Sequence, residues 1–167
     1  MKPCRIAIAA CVLAVAVCAG CGADIETPAP KAAARRAPER ELAKGRISFV
    51  EGYERGCEAS RQQGKPMLVF FTARWCDYCH DMADDAFCQD AVVSLSEQFV
   101  CVLVDADAEP EVCRQFRVKG YPTIQFLSPR GTPLNRVTGK QPTVQLVMEM
   151  QAALQAVARR IDEPRTF

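Results

Sequence analysis

The chain has 167 residues, 25% of them charged, with 21 basic and 20 acidic side chains for a net charge of +1. That balance, with no dense basic patch and no interleaving of basic with aromatic residues, excludes a nucleic-acid-binding surface. The length allows one domain of about 110–120 residues once an N-terminal segment is set aside, enough to bury a core without covalent staples.

The N-terminus reads as a targeting segment. Lys2 and Arg5 supply the charged start, and residues 6–17 form an apolar run too short for an ordinary transmembrane helix. Small residues then precede a cysteine in Cys18-Ala19-Gly20-Cys21-Gly22. This resembles a bacterial lipoprotein signal, in which cleavage before the cysteine frees it for lipid attachment. Cys21 is the matching position, and Cys18 stands where that pattern usually has Leu. An ordinary secretory signal cleaved nearby is the alternative, and both imply an exported chain. Residues 1–20 are therefore expected to be a signal. Residues 21–45, rich in Ala, Pro, Lys, Arg and Glu, are expected to be a solvated tether, and 46–162 the domain.

Within the domain, Phe49, Tyr53, Cys57 and Ser60 recur on one helical face, which predicts a helix over 49–63 ended by Gly64-Lys65-Pro66. Met67-Leu68-Val69-Phe70-Phe71 is a continuous apolar run, the mark of a central strand covered on both faces. It leads into Trp75-Cys76-Asp77-Tyr78-Cys79, which opens a helix reaching Leu95 or Glu97 with an interruption near Phe87. Residues 99–104 make a second buried strand ending at Asp105. Residues 109–116 make a short helix with Pro110 in its first turn. Residues 122–127 predict a third strand, Ser128-Pro129-Arg130-Gly131 has turn chemistry, and 134–138 returns as the other arm of a hairpin. Pro142 opens a last helix whose apolar stripe is Leu146, Met150, Ala153, Leu154, Val157 and Ile161. A long helix between the first two strands implies a parallel, right-handed crossover. The expected class is α/β, a central mixed sheet with helices on both faces.

Two thiols three residues apart can open and close a small ring, so Cys76 and Cys79 are candidates for disulfide exchange with other proteins. Gly120-Tyr121-Pro122-Thr123 later in the chain suggests a second surface folded back onto them. Together these residues resemble the thioredoxin family over roughly 47–160. Further anchors are Phe70-Phe71-Thr72-Ala73-Arg74 and Val104-Asp105-Ala106-Asp107. Lys65-Pro66 and the opening helix look most like exported, thioredoxin-like domains of bacterial envelopes. The resemblance implies a cis bond at Pro122, placing Tyr121 and Pro122 against Cys76, and a substrate backbone added as a strand beside Tyr121 and Thr123. Two departures bear on mechanism. The family's buried Asp before the active site matches Phe70, and its buried Lys matches Leu103, so the usual proton acceptor is absent. Asp105 is a candidate substitute.

The attacking species in exchange is a thiolate. Cys76 at a helix N-terminus would have its anion stabilised by unpaired amides and the dipole, so it is the expected nucleophile. Cys79, one turn in, is the resolving thiol, and Trp75 and Tyr78 flank the pair. Asp77 disfavours the thiolate, which makes the reduced form the better electron donor. His80, the only histidine, offsets this when protonated or is simply a surface residue.

Other readings of the motif stay open. Cys76-Asp77-Tyr78-Cys79-His80 has the form of a c-type haem attachment site, which leaves Trp75 and the Gly-Tyr-Pro-Thr run unexplained. Zinc lacks a second cysteine pair at suitable spacing. Cu(I) suits Cys76, Cys79 and His80 better, and a binding lipoprotein for copper or a partner protein is the alternative function. Of the ten cysteines, Cys4, Cys11 and Cys18 fall in the signal. Cys57, Cys88, Cys101 and Cys113 are isolated, with Cys101 expected in the core, Cys88 and Cys113 expected on helices and open to exposure, and a second disulfide among the four left open. The expected function is thiol–disulfide exchange, as a reductase of exported cysteine-containing proteins. It needs no cofactor or resident metal. Electrons would be supplied by a membrane partner to a monomer held at the membrane by its lipid.

Overall fold

The computed structural model describes residues 41–162. The signal, the lipid-site reading of Cys21 and most of the tether lie outside them. Six strands form one sheet, β1 (Glu41–Lys44), β2 (Ile47–Glu51), β3 (Met67–Thr72), β4 (Val100–Asp105), β5 (Thr123–Leu127) and β6 (Pro133–Thr138), in the order β1-β2-β4-β3-β5-β6. The helices are α1 (Tyr53–Gln63), α2 (Asp77–Asp84), α3 (Asp90–Ser96), α4 (Pro110–Gln115) and α5 (Thr143–Asp162), with a 3-10 turn at Ala86–Cys88 between α2 and α3. β4 runs parallel to β2 and β3, while β3–β5 and β5–β6 are antiparallel. This is the mixed sheet expected from the sequence and has the thioredoxin-like arrangement.

The pleat sorts the core into two layers. Leu68, Phe70, Cys101, Leu103, Ile124 and Phe126 point to the side covered by α2, α3 and α5. Met67, Val69, Phe71, Val100, Val102 and Val104 point to the side covered by α1 and α4. Every residue of β3 is buried, which is why its sequence shows no polar alternation. Across the first layer Phe49, Phe70 and Phe87 pack at ring-centroid distances of 5.1–5.9 Å, each ring contributing about 1.5–3 kcal/mol by burial.

Two expectations are corrected at the N-terminal edge. Phe49 belongs to strand β2 rather than to the first helix. Ile47 and Phe49 are buried while Ser48 is exposed, a period of two, and Gly52 at φ +96° separates this strand from α1. The i, i+4, i+8 spacing of Phe49, Tyr53 and Cys57 suits a helix only because strand and helix face the core from adjoining elements. The tether also ends earlier than residue 45. Glu41–Lys44 pairs with Ile47–Val50 in a hairpin turning at Gly45-Arg46, with Gly45 at φ +59°. With four residues in β1 and five in β2, neither strand is long enough to declare a period of two in the sequence.

Candidate active site

Strand β3 delivers the chain to the site. After Thr72 a turn, closed by the Cys76 N–H donating to the Ala73 carbonyl at 3.1 Å, brings Cys76 to the N-cap position of α2. There its Sγ accepts a hydrogen bond from the Cys79 N–H at 3.2 Å, and its carbonyl accepts from His80 N–H. Cys76 and Cys79 are joined as a disulfide, with Cα atoms 5.3 Å apart. The bond lies at the surface of the core layer that contains Phe70, Phe87 and Met82, and both cysteines are buried.

The flanking aromatic residues face outward instead. Trp75 is 66% exposed and Tyr78 65%. For side chains of this size such exposure is the unusual state. Trp75 is held at one edge, where its Nε1–H donates to Asp107 Oδ1 at 3.3 Å and its ring meets Tyr121 edge-on at 5.7 Å. Tyr121-Pro122 is the cis bond. Strand pairing places this loop by the motif, since Thr123 lies opposite Phe71 and the chain on either side runs on to Pro122 and to Ala73. Thr123 Oγ1 donates to the Gly120 carbonyl at 2.8 Å, and the Pro122 carbonyl accepts from Gly139 N–H at 2.7 Å. Among the described residues the Tyr121 backbone makes no hydrogen bond to other backbone.

Asp77 is exposed beside the disulfide. His80 turns back from it, Nε2 lying 3.2 Å from the Arg74 carbonyl. A carbonyl only accepts, so Nε2 carries the hydrogen. Phe70 is fully buried and lies opposite Leu103 on β4, so this pair of positions holds no ionisable group. Asp105 Oδ1 accepts from Asp107 N–H at 2.9 Å within its own turn, and its other oxygen lies 4.0 Å from Arg74 Nε. Among the described residues no group of three or more His, Cys, Asp or Glu side chains is arranged to hold a metal ion. Cys57, Cys88, Cys101 and Cys113 are free thiols, so the second disulfide left open by the sequence is not formed.

Three residues take places at the site that the sequence does not assign them, and one of them, Cys113, is buried rather than exposed on its helix. Asp107 anchors Trp75, and its only signal was the Asp-Ala-Asp run at the strand end. Cys113 on α4 is buried in the core layer against which Tyr121 packs. Burial pushes the Cys113 thiol up, and the neighbouring Tyr121 hydroxyl partly offsets this. Burial, followed by the neighbouring Cys113, pushes Tyr121 up to about 12. Lys140 bridges Asp81 on α2 and Asp85 at its C-cap at 3.2 and 3.0 Å. Nothing local in the sequence pairs residues so far apart.

Comparison with known proteins agrees with this geometry. A family model described as thioredoxin-like matches residues 48–129. A thioredoxin-like protein of Synechocystis is 33% identical over 87 residues, covering 52% of this chain and 80% of that protein. The solution structure of a thioredoxin from Thermus thermophilus is similar in fold, with a TM-score of 0.62 at 23% identity over 72% of this chain and 98% of that one. The structure of the oxidoreductase DsbH gives a TM-score of 0.57 at 25% identity, covering 70% of this chain and 90% of that one. With sequence, sheet order and relatives in agreement, the chain belongs to the thioredoxin-like family of thiol–disulfide oxidoreductases.

Proposed function

We propose that the protein reduces disulfides in exported, cysteine-containing proteins while tethered to a membrane, with Cys76 as nucleophile and Cys79 as resolving thiol. The observation that carries this reading is the position of Cys76 at the head of α2, with its sulfur accepting the Cys79 N–H. The same amide and the helix dipole favour a thiolate there once the pair is reduced. In the forward direction the Cys76 thiolate attacks one sulfur of the substrate disulfide, and the other sulfur leaves as a thiolate. A mixed disulfide results. Cys79, on losing its proton, attacks Cys76 Sγ and expels the second substrate thiolate. Two electrons pass to the substrate, and the Cys76–Cys79 disulfide forms. A dithiol donor in the membrane returns them.

The open Tyr121 backbone supports docking of an extended substrate segment as an added strand. Exposed Trp75 and Tyr78 offer apolar contact on either side of the disulfide. Asp77 supports the reductase direction, because a carboxylate beside Cys76 disfavours its thiolate and so favours giving electrons away. The leader and Cys21 support export and lipid tethering.

The test is insulin reduction together with the reduction potential. We expect Cys76→Ser to abolish turnover, and Cys79→Ser to accumulate a mixed disulfide that wild type resolves. A potential near about −270 mV supports an electron donor, whereas one near about −120 mV reverses the direction. If no Cys76–Cys79 disulfide forms at any poise, exchange fails and Cu(I) or partner binding replaces it. Retention of one Cu(I) per chain after dialysis would then be the measurement.

A further inference from the structure

The helix that carries the redox pair is short and badly charged for its own stability. α2 spans Asp77–Asp84, with Asp85 at its C-cap. Asp77, Asp81, Asp84 and Asp85 lie on or next to it, and its last turn contains no basic residue. Acidic residues at a helix C-terminus oppose the macrodipole, and like charges four apart, as Asp81 and Asp85 are, repel.

The missing cation arrives from the other end of the domain. Lys140, between β6 and α5, sets its ammonium 3.2 Å from Asp81 Oδ2 and 3.0 Å from Asp85 Oδ2. These hydrogen bonds, Asp85 first, raise the affinity of Lys140 for its proton. The residue before it is Gly139, at φ +76°, whose N–H donates to the Pro122 carbonyl at 2.7 Å. Two adjacent residues therefore touch both halves of the site. Gly139 extends the β5–β6 ladder to the cis-proline, and Lys140 forms exposed ion pairs with the last turn and C-cap of the helix that bears the cysteines.

We propose that Lys140 is a positioning residue for disulfide exchange: by bridging Asp81 and Asp85 it holds α2 against the segment that anchors Pro122, and it completes the charge pattern of the helix. This rests on the exchange reading above. Lys140 touches neither sulfur and acts through the helix. Its removal has two consequences. The cysteine helix is less firmly held relative to the proline loop, which slows attack on a docked protein disulfide. The carboxylates on α2 also lose their compensating cation, which makes the Cys76 thiolate less favourable and shifts the equilibrium toward the disulfide.

The experiment compares the full chain in mild detergent with Lys140→Met, Lys140→Arg, Asp81→Asn/Asp85→Asn, and Lys140→Met in that double variant. The readouts are insulin reduction and the equilibrium constant of the Cys76–Cys79 pair against glutathione, at low and high salt. Lys140→Met is expected to slow insulin reduction and to move the equilibrium about threefold toward disulfide at low salt, less at high salt. Lys140→Arg is expected to recover both. In the Asp81→Asn/Asp85→Asn background, Lys140→Met is expected to change nothing further. The inference is overturned if Lys140→Met matches wild type in both readouts. It is equally overturned if Lys140→Arg loses as much as Lys140→Met, or if the methionine effect persists undiminished without the two aspartates. An active wild type with a silent Lys140→Met sinks this inference alone, whereas a wild type that reduces no disulfide sinks the exchange reading and this inference with it.

Discussion

Asp77 is the residue whose charge speaks most directly to direction. It is exposed between the two cysteines, and among the described residues no basic side chain pairs with it. Its effect on the Cys76 thiolate is therefore neither neutralised nor deeply buried. Asp77→Asn is expected to move the equilibrium with glutathione roughly threefold toward the dithiol, the scale of an exposed charge pair, giving a more oxidising protein. An unchanged equilibrium constant would remove the charge argument for a reductase. The His80 ring is directed to the Arg74 carbonyl and makes no ion pair with Asp77. Phe70 shows why a residue can be legible by comparison and still surprising in place. The sequence identifies it as the position where the family carries an acid. The structure makes it part of a three-ring cluster with Phe49 and Phe87, so the space beneath the disulfide is filled by hydrocarbon and the resolving thiol must shed its proton elsewhere.

At the scale of elements, the long apolar runs were legible, and α4 and β6 were placed by the proline and turn residues beside them, whereas the short N-terminal strands were not. β3, β4 and α5 carry enough apolar residues in sequence to declare their period. β1 does not, and its pairing with β2 follows from the Gly45-Arg46 turn and the Phe49 side chain finding the core. The packing of α1 on the sheet rests on a close approach that only the fold reveals. A Cβ on Gly56 would run into both methyl groups of Val102, which is itself fully buried in the centre of β4. Alanine in a helix interior favours the helix by about 1 kcal/mol over glycine, but overpacking costs about 1–3 kcal/mol, and Val102 has nowhere to move. Gly56→Ala is therefore expected to destabilise the protein by up to about 2 kcal/mol net. Its denaturation midpoint would be lowered with the slope unchanged. A stabilised variant would show that α1 can lift from the sheet at little cost.

For the molecule as a whole, two acids, Cys101 in the core and the half-buried Tyr121, give an alkaline limit to stability. Burial pushes the Cys101 thiol up to about 12, and Tyr121 is also pushed up to about 12. In the unfolded chain these groups ionise from about 8.5 for a thiol and about 10 for a phenol. Above those values the unfolded state binds fewer protons than the fold, so stability falls as pH rises. Stability is expected to be complete below about pH 8.5 and to decline toward pH 12, Cys101 contributing at most about 1.4 kcal/mol per pH unit. Urea midpoints between pH 8 and 11 check this, and Cys101→Ala should flatten the early part of the decline. By itself the sequence determined the chemistry on offer and the class of fold. Apolar runs of fixed length declare strands, and a Trp-Cys-x-x-Cys motif at a strand's end, with a Tyr-Pro-Thr later, declares the redox site. Those are local signals, written in neighbouring residues. Only the tertiary structure decided that Phe49 lies on a strand, that Asp107 holds Trp75 at the rim, and that Lys140 reaches the cysteine helix. Each of these joins residues distant in the chain through the register of a sheet or the end of a loop, and no local periodicity encodes such a meeting.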